Sequence, residues 1–228
     1  MTALQAEKEA AIRSSYLFAD LDDAMVGRLA DASLIETAGK GRLVFEAGDE
    51  ADGLRIVLSG LLRIWVNDDE GQELTITLAE AGDCLGEIAL LDGASRTANA
   101  TVMEPSRLLF LGQGVFHEIL EGNFAFARQL IMLLCERLRR NTDELSGFAF
   151  DDLQVRLARK IYDLAFAHAA ISGGGARFER VFSQTELAQM LGATREAVNK
   201  RLAAMSKANL ISIEEGRLVV PHLDRLVN

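Results

Sequence analysis

The sequence is poor in the residues that carry covalent and metal chemistry. It has two cysteines, Cys84 and Cys135, far apart in unrelated contexts, which offers neither a disulfide framework nor a four-ligand metal site and fits a reducing compartment. The three histidines, His117, His168 and His222, share no ligand spacing, and each is read as structural. No paired carboxylates and no Ser/His/Asp set stand out, so the expectation is a protein that is not an enzyme and holds no metal. No apolar run approaches the roughly 18 residues of a membrane span, and the opening MTALQAEKEAAIRSS lacks the basic-then-apolar layout of a secretory signal. A soluble, cytoplasmic protein with no membrane partner is expected.

Positive charge is also scarce: 24 lysines and arginines face 34 aspartates and glutamates, a net charge of −10. Overall repulsion of that size opposes nonspecific binding to a polyanion but permits a local basic face. The acid is concentrated early, in Asp20, Asp22, Asp23, Asp49, Glu50, Asp52, Asp68, Asp69 and Glu70, while Arg195, Lys200, Arg201 and Lys207 cluster late. With 228 residues, 49% of them hydrophobic, the chain can form one large domain or two modest ones, each with its own core.

The stretch from Asn123 to Leu145 organises the rest. Phe124, Ala127, Ile131, Leu134, Leu138, Asn141 and Leu145 recur at alternating steps of three and four, which draws one seam down a helix that requires a second helix against it. Arg128, Glu136, Arg137, Arg139, Arg140, Asp143 and Glu144 are read as its solvated flanks. Asn141, with Thr142 beside it, breaks the apolar seam, either to fix the register of a dimer or to touch a ligand.

Before this helix, residues 4–30 read as helical with a break at the Asp-rich turn Leu21–Asp23. Short apolar runs follow at 43–45, 54–58, 61–66, 74–78 and 108–111, punctuated by glycines at 41, 48, 53, 60, 71, 82, 86 and 93. That texture predicts brief strands and turns in a β sandwich or barrel of jelly-roll type. The segment 82–98, GDCLGEIALLDGASRTA, reads as a loop in which glycines allow close backbone approach and one arginine, Arg96, stands beside the hydroxyl of Thr97. A guanidinium suits phosphate because its planar fork donates two parallel hydrogen bonds, whereas Glu87 suits a sugar hydroxyl. A Gly-rich turn with a surface arginine is the plainer alternative.

After the seam, Phe148–Asp152 reads as a hinge, Asp152 as the N-cap of a helix over about 152–169, 172–175 as a loop tip and 178–182 as a short strand. Ser183 with Glu186 forms a capping box, Gly192 suits a left-handed helix end and Thr194 suits the next cap. That pattern is a helix-turn-helix. Leu187, Ala188, Leu191, Val198, Leu202 and Met205 face inward, which leaves Arg195, Glu196, Asn199 and Lys200 as an outward stripe near the start of the second helix. Arg195 and Lys200 can donate to guanine O6 and N7, and Glu196 can accept from the cytosine amine. Ser183 and Thr194 are candidate phosphate contacts. Residues 210–220 read as a hairpin that closes a winged helix, capped by 221–228.

Gly86-Glu87-Ile88-Ala89-Leu90, then Arg96-Thr97-Ala98, resembles the phosphate-binding cassette of cyclic-nucleotide-binding domains. Together with the seam helix and the helix-turn-helix, nearly the whole chain resembles the bacterial CRP/FNR family of transcription regulators. The resemblance implies an α+β protein: an N-terminal β-roll or jelly-roll cyclic-nucleotide-binding domain with its helices (1–122), a dimerisation helix and hinge (123–150), and a C-terminal winged helix-turn-helix domain (151–228). It implies Arg96 and Thr97 on the cyclic phosphate, Glu87 on the ribose 2′-hydroxyl, and Asn141 with Thr142 on the purine, with Gly86, Ile88 and Ala89 completing the ligand site. Cyclic AMP is preferred as the allosteric ligand. Asn141-Thr142 departs from the Thr-Ser of the best-known cAMP-binding members, and a Thr after the cassette Arg is similar to domains that bind cyclic GMP, so base selectivity stays open. The R-E-x-x-x-R pattern of the family, here with Lys200 last, implies a palindromic TGTGA-like site in double-stranded DNA, a homodimer and RNA polymerase as downstream partner. An iron–sulfur sensor needs N-terminal cysteines and a heme sensor needs ligands from the β region; no cysteine precedes Cys84 and no histidine lies between Leu34 and Leu111. A regulator that takes another effector, or binds DNA constitutively, is the alternative.

Overall fold

The structure is a computed structural model that describes residues 2–227. The chain divides into two compact units, with the division between Arg139 and Arg140. Among the described residues no helix is long and apolar enough to cross a membrane.

The first unit opens with α1 (Ala3–Ser14), a 3-10 turn (Tyr16–Phe18) and α2 (Asp23–Ala32). The expected break at Leu21–Asp23 is the N-cap of α2, where Asp22 accepts from Met25 N–H at 2.8 Å, but the helix stops earlier than expected, at Ser15. The strands are β1 (Leu34–Ala38), β2 (Leu43–Phe45), β3 (Gly53–Asn67), β4 (Glu73–Ala79), β5 (Cys84–Leu85) and β6 (Asn99–Gly112). They form an antiparallel sheet in the order β1-β6-β3-β4, with β2 on β6 and β5 on β3. Between β5 and β6 lies α3 (Glu87–Asp92), and after β6 come α4 (Gln113–Gly122) and α5 (Phe124–Phe150).

Two departures from the sequence reading share one cause. The runs at 54–58 and 61–66 are a single 15-residue strand, β3, and the run at 108–111 is the end of the 14-residue β6. Gly60, expected to mark a turn, sits at φ +93° inside β3, where the register against β6 shifts between Ser59 and Leu61. It is a bulge, and Pro105, which has no N–H to give the ladder, lies opposite it between the paired residues Glu104 and Arg107. The bulge shifts the register without ending either strand.

Two apolar clusters result. One joins the N-terminal helices to the sheet through Leu17, Phe18, Val26, Leu54, Ile56, Leu109, Phe116, Phe126 and Leu130, with Phe126 stacked on Phe18 at 5.3 Å and edge-on to Phe116 at 5.7 Å. The other fills the roll with Val57, Leu62, Leu85, Val102 and Leu108, flanked by Phe45. Helix α5 contributes Phe126, Gln129 and Leu130 to the buried interior. Its seam does not join them: Phe124 is 84% exposed, Ile131 62%, Leu138 68% and Leu145 69%.

In the second unit, α5 runs on through Phe150, past the hinge expected at 148. Asp152 then caps α6 (Leu153–His168) as expected, accepting from Gln154 and Val155 N–H. A hairpin of β7 (Ala169–Ser172) and β8 (Gly175–Phe178) replaces the strand expected at 178–182. Gly173 and Gly174, at φ +59° and +82°, make a two-residue turn that pairs Ser172 with Gly175 and ends the ladder at Phe178. Phe178 and Phe182 both turn inward and meet edge to face at 5.8 Å, whereas a continuous strand would hold residues four apart at about 13 Å. Helices α7 (Gln184–Leu191) and α8 (Arg195–Lys207) follow, then β9 (Ser212–Glu214), β10 (Arg217–Val220) and a 3-10 turn (Leu223–Leu226). The four short strands form one sheet, β7-β8-β10-β9.

A β-carbon at Gly60 would lie 2.6 Å from Pro105 O and 2.7 Å from Ser106 Cα. Gly60→Ala is therefore expected to lower the unfolding free energy by about 1–3 kcal/mol from the left-handed backbone alone, read as an earlier midpoint in urea denaturation.

Candidate functional site

The 82–98 segment is more ordered than a loop. Gly86 takes φ +92° at the N-cap of α3, and a β-carbon there would lie 2.9 Å from Cζ of Arg96 and 3.2 Å from Gly53 O. Glycine is required at this position by both conformation and space. After α3 the chain returns as an extended arm that the loop before β3 holds in place, through Gly48 N–H to Arg96 O at 2.9 Å and Arg96 N–H to Asp49 O at 2.8 Å.

These backbone bonds bury Arg96, whose side chain is 2% exposed. Nη1 donates to Gly86 O at 2.6 Å, and Nη2 donates to Gly53 O at 2.7 Å and to Asp52 Oδ1 at 2.6 Å. The guanidinium also lies 4.7 Å over the Phe45 ring. Its Nε–H, however, is buried with no hydrogen-bond partner. Glu87 shows the complementary deficit. It is 1% exposed; Oε1 accepts from Arg137 Nη1, while Oε2 is buried with no donor. Arg137 is itself tied to the cassette by Nη2, which donates to Cys84 O at 2.7 Å.

An unfilled donor on a cation and an unfilled acceptor on an anion are what an anionic phosphate beside a hydroxyl would satisfy, because leaving either group buried and unpaired is unfavourable by about 1–3 kcal/mol. The residues present therefore fit a nucleotide phosphate at Arg96 and a ribose hydroxyl at Glu87. Gly86, Glu87 and Arg96 are brought together as expected. Ile88 and Thr97 are exposed at the cassette surface, and the Ala89 side chain points into the core at 2% exposure. Asn141 and Thr142 are exposed on the part of α5 that belongs to the second unit.

Four participants escaped the sequence reading: Phe45, Asp52, Arg55 and Arg137. Asp52 accepts from Arg55 Nη1 and Nη2 at 2.9 and 2.8 Å as well as from Arg96. The Arg55 hydrogen bonds, then the Arg55 charge, and then the hydrogen bond and charge of Arg96 hold the Asp52 carboxyl at about 2, well below the usual 3.8 and against the opposing effect of burial. Arg137, read as a solvated flank, carried a detectable signal: Phe126, Leu130, Leu133 and Arg137 follow the same four-three-four step as the seam, one face round. Burial, and next the Glu87 charge, push the Cys84 thiol up to about 12, so it stays protonated and inert at neutral pH.

In the second unit the helix-turn-helix is built as the spacing predicts. The Ser183 hydroxyl accepts from Glu186 N–H at 3.1 Å while Glu186 Oε2 accepts from Ser183 N–H at 2.7 Å, a complete capping box. Gly192 closes α7 at φ +54°, and Thr194 caps α8 by accepting from Ala197 N–H at 3.2 Å. Leu187, Ala188, Leu191, Val198, Leu202 and Met205 are buried, and Arg195, Glu196, Asn199 and Lys200 are exposed on the other side of α8. One bond was not foreseen: Gln184 Nε2 donates to Asn199 Oδ1 at 2.9 Å, linking the first residue of α7 to the exposed stripe.

Comparison with known proteins matches both halves. The cyclic nucleotide-binding domain family matches residues 35–123, and the Crp-like helix-turn-helix domain family matches residues 155–228. The chain is 30% identical over 187 residues to the CRP-like cAMP-activated global transcriptional regulator of Mycobacterium tuberculosis, covering 82% of this chain and 84% of that protein. It is 30% identical over 181 residues to the cyclic AMP receptor protein of Thermus thermophilus, covering 79% and 81%. Its fold is similar to that of the c-di-GMP responsive global regulator CLP of Xanthomonas campestris, with a TM-score of 0.76 and 23% identity over 87% of this chain and 99% of that one.

The depressed Asp52 carboxyl sets a pH dependence. A group whose folded pKa lies below its unfolded value stabilises the fold above the unfolded value and loses that contribution as pH falls through the folded one. The window runs from 3.8 down to about 2. The stability difference between wild type and Asp52→Asn is therefore expected to be constant above this window and to shrink within it, measured by urea denaturation at stepped pH.

Proposed function

The chain belongs to the CRP/FNR family of transcription regulators, and from that premise we propose that it acts as a homodimer which binds a cyclic nucleotide, cyclic AMP in preference to cyclic GMP, and in response a palindromic TGTGA-like DNA site. A cyclic-nucleotide-binding domain and a helix-turn-helix DNA-binding domain are both present. The observation that carries the ligand reading is the pair of buried, unpartnered atoms, Arg96 Nε and Glu87 Oε2. A cyclic phosphate on Arg96 and a ribose 2′-hydroxyl on Glu87 complete both. Thr97 offers its exposed hydroxyl, Gly86, Ile88 and the backbone of Ala89 line the cassette, and Asn141 and Thr142 take the purine. The cyclic AMP preference is supported by two relatives, a cAMP-activated regulator and a cyclic AMP receptor protein.

The homodimer reading rests on the exposed seam of α5. Phe124, Ile131, Leu138 and Leu145 leave an apolar stripe in water, and a second copy of the same helix buries it. Two recognition helices then sit about 34 Å apart, one turn of DNA, and a palindrome matches their two-fold relation. On each half-site Arg195 and Lys200 donate to guanines and Glu196 accepts from cytosine, with Asn199 beside them and Ser183 and Thr194 on phosphates. Lys200 is a point charge where an arginine would be bidentate, which softens discrimination at its base. RNA polymerase is the proposed partner of the DNA-bound dimer. The ligand favours the DNA-binding arrangement only to the extent that it binds that arrangement more tightly.

Calorimetric titration tests the ligand site. Wild type is expected to bind cyclic AMP saturably and Arg96→Leu to bind about a hundredfold more weakly, since charge-assisted hydrogen bonds to a phosphate are lost. Saturable binding of neither nucleotide by folded wild type would overturn the cyclic-nucleotide reading and leave a regulator with another effector. Gel-shift titration tests the DNA face: Arg195→Ala is expected to weaken a TGTGA palindrome by about ten- to a hundredfold and to relax preference at one base pair. Replacing Leu138 and Leu145 together by glutamate is expected to yield monomers in sedimentation analysis.

A further inference from the structure

Arg55 belongs to β3 and its side chain is only 7% exposed. It packs over Phe110 at 4.6 Å, its two Nη atoms grip both oxygens of Asp52 at 2.9 and 2.8 Å, and its Nε donates to Glu36 Oε2 at 3.0 Å. The same Asp52 Oδ1 also accepts from Arg96 at 2.6 Å. One carboxylate oxygen therefore lies between two guanidinium groups. Along the row Glu36, Asp52, Arg55 and Arg96 two negative charges meet two positive ones, and the formal sum is zero. Remove Arg55 and two carboxylates face the single arginine of the cassette.

We infer that Arg55 is a positioning residue that sets the affinity of the cassette for a singly charged cyclic phosphodiester, acting through Asp52. Asp52 does two opposed things: it fixes the orientation of Arg96, and it offsets the charge that an anion seeks. Arg55 separates the two effects. By taking both Asp52 oxygens into a bidentate pair it holds the carboxylate where it orients Arg96, and it neutralises the charge that would otherwise weaken Arg96 toward phosphate. The β1 carboxylate of Glu36 enters the same sum from the far side of Arg55. This inference rests on the reading of the cassette as a cyclic-nucleotide site and adds to it a residue that is one step removed from the ligand.

Charge balance and mere scaffolding predict different signs in a double variant. Titrating the full-length protein with cyclic AMP and cyclic GMP, we expect Arg55→Met, whose side chain still covers Phe110, to bind about tenfold more weakly than wild type. Adding Asp52→Asn to Arg55→Met restores the formal sum and is expected to bring affinity back to within about threefold of wild type. Glu36→Gln alone, at a half-exposed strand position that does not put folding at risk, is expected to bind about threefold more tightly. The inference is overturned if Arg55→Met binds as wild type does, if the double variant is weaker than Arg55→Met alone, or if Glu36→Gln loses affinity. A folded wild type that binds neither nucleotide would instead overturn the cyclic-nucleotide reading, and this inference with it.

Discussion

Burial of the Arg96 guanidinium is the constraint on which the first unit is built. A buried cation must be surrounded by acceptors, and the chain supplies them from places far apart in sequence: Gly86 O beside β5, Gly53 O at the start of β3 and the Asp52 carboxylate just before it. Those acceptors can only converge if the loop before β3 and the arm after α3 are held together, which the paired backbone bonds of Arg96 with Gly48 and Asp49 achieve. Gly86 must lack a side chain for the same reason. The result is a cation whose two Nη atoms are bonded by the protein itself while its Nε–H has no partner. Such a group does not depend on a ligand to be folded, so a ligand acts on an assembled site.

What could be read from the sequence followed the range of the interactions involved. Capping at Asp152, Ser183 and Thr194 and the left-handed Gly192 are settled within a few residues, and each was legible. The turn expected at Gly60 was wrong because a glycine with positive φ serves a bulge as readily as a turn, and the choice depends on β6 lying alongside. The short strand at 178–182 failed because the Gly173-Gly174 turn moved the pairing toward the N-terminus. Within the cassette, Gly86, Glu87 and Arg96 were legible as one contiguous motif. Asp52 and Arg55 were not, since nothing local marks a carboxylate whose partner lies 44 residues further along. Arg137 lies between these cases: its charge indicated solvent while its helical phase indicated the interior, and the phase was the better guide.

The phase of α5 puts two apolar stripes on one helix. Phe126, Leu130 and Leu133 pack into the first unit's core, and Arg137, next on that face, holds Glu87 and the Cys84 carbonyl. The seam residues Phe124, Ile131, Leu138 and Leu145 lie on a separate stripe and stay exposed. A helix with two apolar stripes has its rotation about its own axis fixed from one side by its domain, so the direction in which the second stripe faces is settled before any partner arrives.

The capped ends of α7 and α8 have a related consequence. The hydroxyl oxygens of Ser183 and Thr194 accept from the backbone of the helices they open, which orients each hydroxyl and leaves its hydrogen for an outside acceptor. Gln184 and Asn199 are tied to each other in the same region. Several side chains along this surface have thus given up rotamer freedom during folding rather than at the moment of encounter. The entropy of ordering them is charged to the fold, and a rigid partner meets a surface whose shape is already set.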